Sequence, residues 1–215
     1  MVRVKICGIT NELDAGRAAR AGADAIGFIF YKKSARFIAP FKAHKIIETL
    51  PPFVTPVGVF VNQPMGAIED IIKHAGLGAV QLHGDEDHHF CKRLRRSKVK
   101  IIKVIRVADH IDINMLKEYK VDAFLFDTAD DKAHGGTGRT FDWKLLNEVK
   151  SLNVPIILSG GLNHQNVIEP VTNLKPYAVD VSSSIEEAPG KKDHKKMKEF
   201  IDVVTYISGP NVKES

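Results

Sequence analysis

The sequence predicts a single α/β domain folded as a (β/α)8 barrel, the TIM-barrel architecture, and three observations support this prediction. Short apolar segments alternate with segments of helical period eight times along the chain. The apolar segments and the short connections between them are typical of a parallel sheet covered by helices. The length of 215 residues is ordinary for one such domain. Because eight parallel strands are the number that closes a barrel, the sequence favours a closed sheet.

An open, doubly wound sheet is the alternative fold. Such a sheet should begin with a glycine-rich G-x-G-x-x-G turn after its first strand. The chain instead reads Cys7-Gly8-Ile9-Thr10-Asn11 at this point. The barrel is therefore the preferred prediction.

The first strand has an alternating pattern. Lys5 and Cys7 share one face and Val4 and Ile6 share the other, because successive side chains of a strand point to opposite faces. If helices cover the apolar face, Cys7 points into the space that the sheet encloses. The predicted strands are residues 2–7, 24–30, 54–61, 79–83, 99–107, 122–127, 154–158 and 177–181.

Start and stop signals locate the helices between these strands. Thr10 or Asn11 can cap the first helix, which should end at Gly22. Pro64 is suited to the first position of the third helix, because its fixed φ matches a helix start. Three further helices are predicted at 42–50, 86–95 and 111–119. Two more follow caps at Asp142 and Asn163, and the last begins at Asp193. The barrel domain is expected to cover residues 1–207, and residues 208–215 to be a frayed polar tail.

Composition excludes several classes of protein. Hydrophobic residues are 44% of the chain and charged residues 27%, which is typical of a globular domain and not of a disordered one. No apolar run approaches the roughly 20 residues that a membrane span needs. Arg3 and Lys5 interrupt any apolar core of a signal peptide. Cys7 and Cys91 are too few for a disulfide framework, so we expect a reducing, cytoplasmic location.

The net charge of +5 and the pI near 9.1 indicate an anionic partner. Nucleic acid is one option, but the two densest basic runs, at 93–98 and 191–196, lack the interleaved aromatic residues that stack on bases. We expect both runs to be solvated helix faces and the partner to be a small molecule. The spacing of His, Cys and acidic residues does not match a metal site, and no cofactor is expected.

Candidate chemistry follows from the barrel prediction, because barrel enzymes carry their active sites at the carboxyl ends of the strands. Strand alternation places several polar side chains on the inward face at these ends. They are Cys7, His83, Arg106, Asp127 and Asp180.

Asp127 and Cys7 are the strongest candidates among them. Asp127 ends the apolar segment Phe124-Leu125-Phe126, and such surroundings raise the pKa of a carboxyl group and let it donate a proton near neutral pH. Alternatively, Asp127 is a helix cap or a structural partner of Lys5. Cys7 is either a reactive thiol, helped toward the thiolate by Lys5, or a small buried hydrophobic residue. His83 is expected to be a hydrogen-bonding neighbour.

Phosphate binding has its own signal. Gly160 and Gly161 follow the seventh strand and Ser182 and Ser183 follow the eighth, where barrels hold phosphate with backbone N–H groups and hydroxyls. Gly136, in the long polar connection before the sixth helix, can add a further amide. The stretch after the third strand, 61–63, has no glycine pair, so we predict one phosphate in the ligand.

A set of short motifs occurs in order over nearly the whole chain. They are Lys5-Ile6-Cys7-Gly8-Ile9-Thr10, Gly27-Phe28-Ile29-Phe30, Ser34-Ala35-Arg36, Gly58-Val59-Phe60-Val61-Asn62, Val80-Gln81-Leu82-His83-Gly84, Phe126-Asp127-Thr128, Gly135-Gly136-Thr137-Gly138, Phe141-Asp142-Trp143, Leu158-Ser159-Gly160-Gly161-Leu162 and Val179-Asp180-Val181-Ser182-Ser183. In this ordered set the chain resembles the phosphoribosylanthranilate isomerase family.

The resemblance implies an Amadori rearrangement in tryptophan biosynthesis, in which N-(5-phosphoribosyl)anthranilate becomes 1-(2-carboxyphenylamino)-1-deoxyribulose 5-phosphate. It implies that Asp127 is the general acid that protonates the ring oxygen and that Cys7 is the general base that takes the proton from sugar C2. Arg36 would contact the anthranilate carboxylate, for which a planar guanidinium is suited. The remaining implied contacts are Asp180 in the pocket and Gly160, Gly161, Ser182 and Ser183 at the phosphate.

Two residues depart from the family pattern: Ala35 stands where proline is usual and Ser184 where glycine is common. Other phosphosugar barrels are the nearest alternatives, but indole-glycerol-phosphate synthase would require a catalytic lysine set and a histidine-pathway isomerase would require paired aspartates with two phosphate sites. A barrel that binds anionic ligands or RNA without catalysis is an alternative of a different class. The sequence is compatible with a monomer or a homodimer.

Overall fold

The structure, a computed structural model, describes residues 1–128 and 142–209. Eight parallel strands form a closed barrel in which each strand pairs with its neighbour in sequence and β8 closes onto β1. The predicted barrel is therefore confirmed. The strands are β1 (Arg3–Cys7), β2 (Ala25–Ile29), β3 (Thr55–Phe60), β4 (Ala79–Leu82), β5 (Lys100–Val107), β6 (Ala123–Thr128), β7 (Ile156–Leu158) and β8 (Ala178–Val181).

Helices cover the outside of the barrel, and their ends follow the capping signals. Asn11 caps the first helix by accepting a hydrogen bond from the Asp14 N–H, and Gly22 ends it in the left-handed conformation. The helices are α1 (Glu12–Ala21), α2 (Pro40–Ile47), α3 (Met65–Ala75), α4 (His88–Leu94), α5 (Ile113–Glu118), α6 (Leu146–Val149), α7 (Ile168–Leu174) and α8 (His194–Ser208), and short 3-10 turns cover Arg95–Ser97, Trp143–Leu145, Lys150–Leu152 and Ser183–Ile185.

Several helices begin at other residues than the sequence predicts: α4 and α5 each begin two residues later, at His88 and Ile113, and Pro64 is the N-cap of α3 and not its first residue. α2 begins at Pro40, because a proline at the first helical position has a suitable φ and has no N–H to leave unpaired. α7 begins at Ile168 and not directly after Asn163. The Asn163 side chain accepts hydrogen bonds from the N–H groups of Gln165 and Asn166, which forms a local turn in place of the first helical turn.

The strand faces divide the core into two layers. Val4 and Ile6 belong to the large cluster between sheet and helices, as the alternation of β1 predicts. A smaller cluster of short aliphatic side chains fills the barrel interior: Val57, Ala79, Ile102, Val104, Ala123, Leu125, Ile157 and Ala178. Because this cluster fills the barrel interior, the polar residues at the carboxyl ends of the strands surround a cavity at that end of the barrel.

A two-stranded hairpin follows β8, and the sequence analysis missed it. Its strands are β9 (Glu186–Ala188) and β10 (Lys191–Lys192), with Gly190 between them at a φ of 82°. The Gly190 carbonyl accepts a hydrogen bond of 2.5 Å from the Thr10 hydroxyl, which joins the hairpin to the loop after β1.

The prediction that the basic run 191–196 is solvated is wrong at one residue of the hairpin. The basic run 191–196 was expected to be a solvated helix face, but Lys192 is buried and forms an ion pair with Glu186. The predicted polar tail also begins later than residue 208, since Ser208 is the last residue of α8, and residues 210–215 lie outside the described part of the chain. Within the described ranges, every helix is too short or too polar to cross a bilayer.

Candidate active site

One cavity lies at the carboxyl ends of the barrel strands. Every candidate site residue in the described part of the chain except Arg106 lines it, and Gly136 lies outside that part. Arg106 shares the inward strand face of Val104, but it does not line the cavity, because its guanidinium is directed to Asp85, at 2.5 Å. The candidate residues at the cavity are Cys7, Arg36, His83, Asp127, Gly160, Gly161, Asp180, Ser182 and Ser183.

The Cys7 thiol is held at the last position of β1, next to β2. A Cβ atom at Gly27 would lie 2.7 Å from Cys7 Sγ, so only glycine on β2 leaves room for this thiol. Burial raises the pKa of Cys7, and the opposing effect of Lys5 does not cancel it. Lys5 thus shifts Cys7 toward the thiolate, as expected, but burial outweighs this effect and favours the protonated thiol.

Lys5 forms an ion pair inside the barrel. Its Nζ donates a hydrogen bond of 2.7 Å to Asp180 Oδ1, and both side chains are buried. Burial alone would lower the pKa of Lys5, but the Asp180 carboxylate outweighs it and the pKa is raised. The partner of Lys5 is thus Asp180, and the alternative in which Asp127 fills this structural role is wrong.

Asp127 and His83 face each other across the cavity wall. Asp127 Oδ1 accepts a hydrogen bond of 2.8 Å from the Thr128 N–H, while Oδ2 lies 3.5 Å from His83 Nε2. Asp127 is 5% exposed, at the end of β6. In the described part of the chain, His83 Nε2 is buried and has no hydrogen-bond partner within bonding distance. Both side chains line the cavity, so both can contact a ligand bound there.

The predicted phosphate residues lie together on one side of the cavity. Gly160 and Gly161 have φ values of 87° and 66°, which favour glycine. A Cβ atom at Gly160 would lie 2.7 Å from the Thr128 backbone nitrogen, so the close approach of the two loops also requires glycine. The Ser182 hydroxyl donates to the Cys7 carbonyl at 3.1 Å, and the Ser184 hydroxyl donates to the Leu162 carbonyl. Ser184, the departure from the family pattern, thus joins the loops after β7 and β8.

Arg36 is fixed by a residue that the sequence analysis missed. Glu186, on β9, accepts hydrogen bonds from Arg36 Nε at 2.9 Å and Nη2 at 2.7 Å. A Cβ atom at Gly8 would lie 2.7 Å from Arg36 Cδ, so only glycine at this position leaves room for the Arg36 side chain. At the other departure from the family pattern, Ala35, the loop is supported by the Ser34 hydroxyl, which accepts a hydrogen bond from the Arg36 N–H.

Gln81 is a second residue that the sequence analysis did not single out. Its side chain lies on β4, lines the cavity and is 1% exposed. Its Oε1 has no hydrogen-bond donor in the described ranges. Alternation along β4 could have identified it, because Val80 and Leu82 point to the outer layer. No group of three His, Cys, Asp or Glu side chains within residues 1–128 and 142–209 is arranged to hold a metal ion.

The fold and the site together define a class of protein. A closed parallel barrel that gathers a thiol, a carboxyl group, an imidazole and glycine-rich loops around one cavity is a barrel enzyme built for acid and base chemistry on a small phosphorylated ligand.

Comparison with known proteins identifies the family. The model of the N-(5'phosphoribosyl)anthranilate (PRA) isomerase family matches residues 4–203. The N-(5'-phosphoribosyl)anthranilate isomerases of Thermotoga neapolitana and Geobacter sulfurreducens are each 48% identical over 201 residues, covering 94% of this chain and 97% of theirs. The chain belongs to the N-(5'-phosphoribosyl)anthranilate isomerase family, and it is an isomerase of tryptophan biosynthesis.

Solved structures agree with this assignment. The crystal structure of phosphoribosyl anthranilate isomerase from Thermotoga maritima superposes with a TM-score of 0.89 at 43% identity, covering 96% of this chain and 100% of that one. A phosphoribosyl anthranilate isomerase crystallised with reduced 1-(o-carboxyphenylamino)-1-deoxyribulose 5-phosphate has a TM-score of 0.86 at 42% identity, with the same coverage.

Proposed function

We propose that this isomerase converts N-(5-phosphoribosyl)anthranilate to 1-(2-carboxyphenylamino)-1-deoxyribulose 5-phosphate with Asp127 as general acid and Cys7 as general base. One observation supports this assignment above the others. The two groups, from β6 and β1, line the same cavity as Arg36 and the predicted phosphate residues. A single phosphosugar bound there would be flanked by both.

The first step is ring opening. Asp127 donates its proton to the ring oxygen as the bond between that oxygen and C1 breaks, and the lone pair of the substrate nitrogen forms a C=N⁺ bond to C1. Asp127 is suited to this step by its place at the end of β6, where its carboxyl group lines the cavity. His83, whose Nε2 lies 3.5 Å from Asp127 Oδ2, lines the same cavity and would be a neighbour of the ligand.

The second step is proton abstraction from C2. The Cys7 thiolate takes this proton, the C–H electrons form the C1=C2 bond, and the iminium nitrogen is neutralised to give an enol-amine, which tautomerises to the ketone. Burial raises the pKa of Cys7, so its thiolate is scarce but strongly basic once formed. The nearby Lys5 ammonium opposes this effect and stabilises the anion.

The remaining candidate residues bind the ligand. The guanidinium of Arg36 suits the carboxylate of the aromatic ring, because planar bidentate pairs of this kind are the strong ones. Gly160, Gly161, Ser182 and Ser183 would hold the phosphate, with Gly136 as a further donor. Asp180, neutralised by Lys5, would line the pocket between the two ends of the ligand.

The basic surface is consistent with a small ligand and not with nucleic acid. In the run 191–196, Lys191 pairs with Glu187 at 2.6 Å, and Lys196 lies 3.6 Å from Asp193. With Lys192 buried, these residues do not form a continuous basic face. We also propose a cytoplasmic location, which both cysteines support because they are free thiols.

An isomerisation assay on the purified protein tests the proposal. Loss of anthranilate fluorescence follows conversion of the substrate, and we expect turnover without added metal or cofactor. A barrel that only binds anionic ligands would show saturable binding of the substrate and no change in its fluorescence beyond the uncatalysed rate. That result would refute the enzymatic assignment.

A further inference from the structure

Glu186 is the centre of a buried ionic cluster at the edge of the cavity. Besides its contacts with Arg36, its Oε1 accepts a hydrogen bond of 2.8 Å from Lys192 Nζ. The Glu186 side chain is 4% exposed, and the Gly190 N–H donates to the same oxygen at 3.3 Å. Burial alone would raise the pKa of Glu186, but the two cations outweigh it and hold the pKa below its ordinary value. The carboxylate is therefore ionised at neutral pH.

The contacts of Arg36 leave one edge of its guanidinium available. Nε and Nη2 both donate to Glu186, which fixes the plane of the group. Nη1 donates no hydrogen bond to any residue of the described ranges. Arg36 lines the cavity, and its side chain is 19% exposed there. A guanidinium held along one edge in this way presents its remaining N–H groups to a ligand at little further cost in side-chain entropy.

Lys192 fixes the position of Glu186 in turn. The fully buried ammonium contacts both Glu186 Oε1 and the Ser182 carbonyl, at 2.8 and 3.1 Å. The cluster thus extends from Arg36 to the first serine of the phosphate side. Two cations and one carboxylate leave a net charge of +1, which suits an anionic ligand group.

We propose that Glu186 is a positioning residue, anchored by Lys192, that orients the guanidinium of Arg36 toward the carboxylate of the substrate's aromatic ring. The inference rests on the proposed role of Arg36 and extends it to the hairpin after β8, which supplies both Glu186 and Lys192. A positioning role of Glu186 can be distinguished from a purely electrostatic one. If Glu186 only offset positive charge, removing its charge would strengthen the binding of an anion, whereas loss of positioning weakens it.

The first experiment compares two neighbouring glutamates. Glu186→Gln keeps the shape and loses the charge of the buried residue, and Glu187→Gln is the matched control, because Glu187 forms an exposed pair with Lys191. The ligands are reduced 1-(o-carboxyphenylamino)-1-deoxyribulose 5-phosphate and its counterpart with a carboxamide in place of the carboxylate. Dissociation constants are measured by titration, and KM and kcat by the fluorescence assay.

We expect Glu186→Gln to raise KM and the Kd of the carboxylate ligand about tenfold, the size of one charge-assisted hydrogen bond, with kcat changed less. The Kd of the carboxamide ligand should be unchanged, and Glu187→Gln should change neither constant. Unchanged or tighter binding of the carboxylate ligand would overturn the proposal, as would equal weakening of both ligands.

Two further variants separate the possible failures. Glu186→Asp keeps the charge but shortens the side chain, so it should also raise the Kd of the carboxylate ligand. This variant provides the test if Glu186→Gln does not fold. Arg36→Met tests the underlying role of the arginine. If it leaves the Kd of the carboxylate ligand unchanged, the proposed function of Arg36 fails. If Arg36→Met raises the Kd of that ligand while Glu186→Gln does not, only the positioning role of Glu186 fails. In the Arg36→Met background, Glu186→Gln should have no further effect on this Kd.

Discussion

Lys5 Nζ lies 2.7 Å from Asp180 Oδ1 inside the barrel, and this ion pair distinguishes Asp180 from Asp127, another aspartate that lines the cavity. The Lys5 ammonium offsets the charge of Asp180 and holds its carboxylate in a buried contact. Within residues 1–128 and 142–209, Asp127 has no lysine partner of this kind and faces His83 instead. The two inward-facing aspartates thus have different partners, Lys5 for Asp180 and His83 for Asp127.

We therefore expect Asp127→Asn to lower kcat by about 10² or more, because an amide cannot donate the proton that opens the ring. The fluorescence assay measures the rate. Asp112→Asn is a suitable control, since Asp112 caps α5 on the surface and asparagine is an equally good cap. Full turnover by Asp127→Asn would remove the general-acid assignment.

Cys7→Ala should lower kcat by about 10² or more, with Cys91→Ala as the control, because Cys91 is buried in the outer core away from the cavity. The pKa of Cys7 is raised by burial, so below that pKa each added pH unit increases the thiolate fraction about tenfold. The limb of kcat/KM that depends on Cys7 should therefore rise with pH in the wild type. The residual rate of Cys7→Ala should lack this limb; a rising limb of equal slope in the variant would contradict the assignment.

Gly27→Ala should disturb the thiol directly. Its Cβ atom would lie 2.7 Å from Cys7 Sγ and 3.0 Å from Cys7 Cα, so the thiol or β1 has to move. We expect kcat/KM to fall by at least about tenfold, because small displacements of a catalytic group are costly. Gly66→Ala is the matched control, since a Cβ atom there meets nothing within 4 Å and alanine is favoured in a helix. Equal activity of the two variants would show that Gly27 does not position Cys7.

Two lysines of β5 should differ in their contribution to stability. Lys103 is buried and donates to Glu86 at 2.9 Å and to the Gly84 carbonyl at 2.7 Å, so Lys103→Met should lower the free energy of unfolding by about 3–5 kcal/mol. Lys100 forms an exposed pair with Asp122, and Lys100→Met should cost no more than about 1 kcal/mol.

Urea unfolding of the two lysine variants measures this difference. Adding Glu86→Gln to Lys103→Met should recover part of the loss, because the remaining buried charge is removed. Glu86 also accepts hydrogen bonds from the N–H groups of Asn62 and Gly84, so recovery should be incomplete. Equal costs for the two single variants would contradict the assignment of Lys103 as a buried ion-pair member.

The sequence was sufficient to predict the barrel and the residues at its strand ends. Alternation within β1 and the apolar segment before Asp127 are local patterns, and a parallel barrel converts each strand end into a position at one cavity. The protonation of Cys7 could not be predicted in the same way. The proximity of Lys5 in sequence suggested a thiolate, whereas the degree of burial, which depends on tertiary packing, raises the pKa.

Glu186 escaped prediction for a related reason. Its contacts with Arg36 span 150 positions of sequence, and a single glutamate in a polar segment carries no local pattern that distinguishes it from a surface residue. The same is true of Lys192, which lies in a run of charges whose other members are exposed or half-exposed. Only the return of the hairpin across the loops after β1 and β2 reveals their role.

This return of the chain has a consequence for the order in which the enzyme matures. As a nascent polypeptide leaves the ribosome, β1 to β8 emerge before the hairpin, and the sheet can close without it. A chain truncated after β8 would retain the thiol and the carboxyl group of Asp127, yet its Arg36 would lack the carboxylate that holds it. The support of Arg36 is thus completed only after all eight barrel strands have been synthesised.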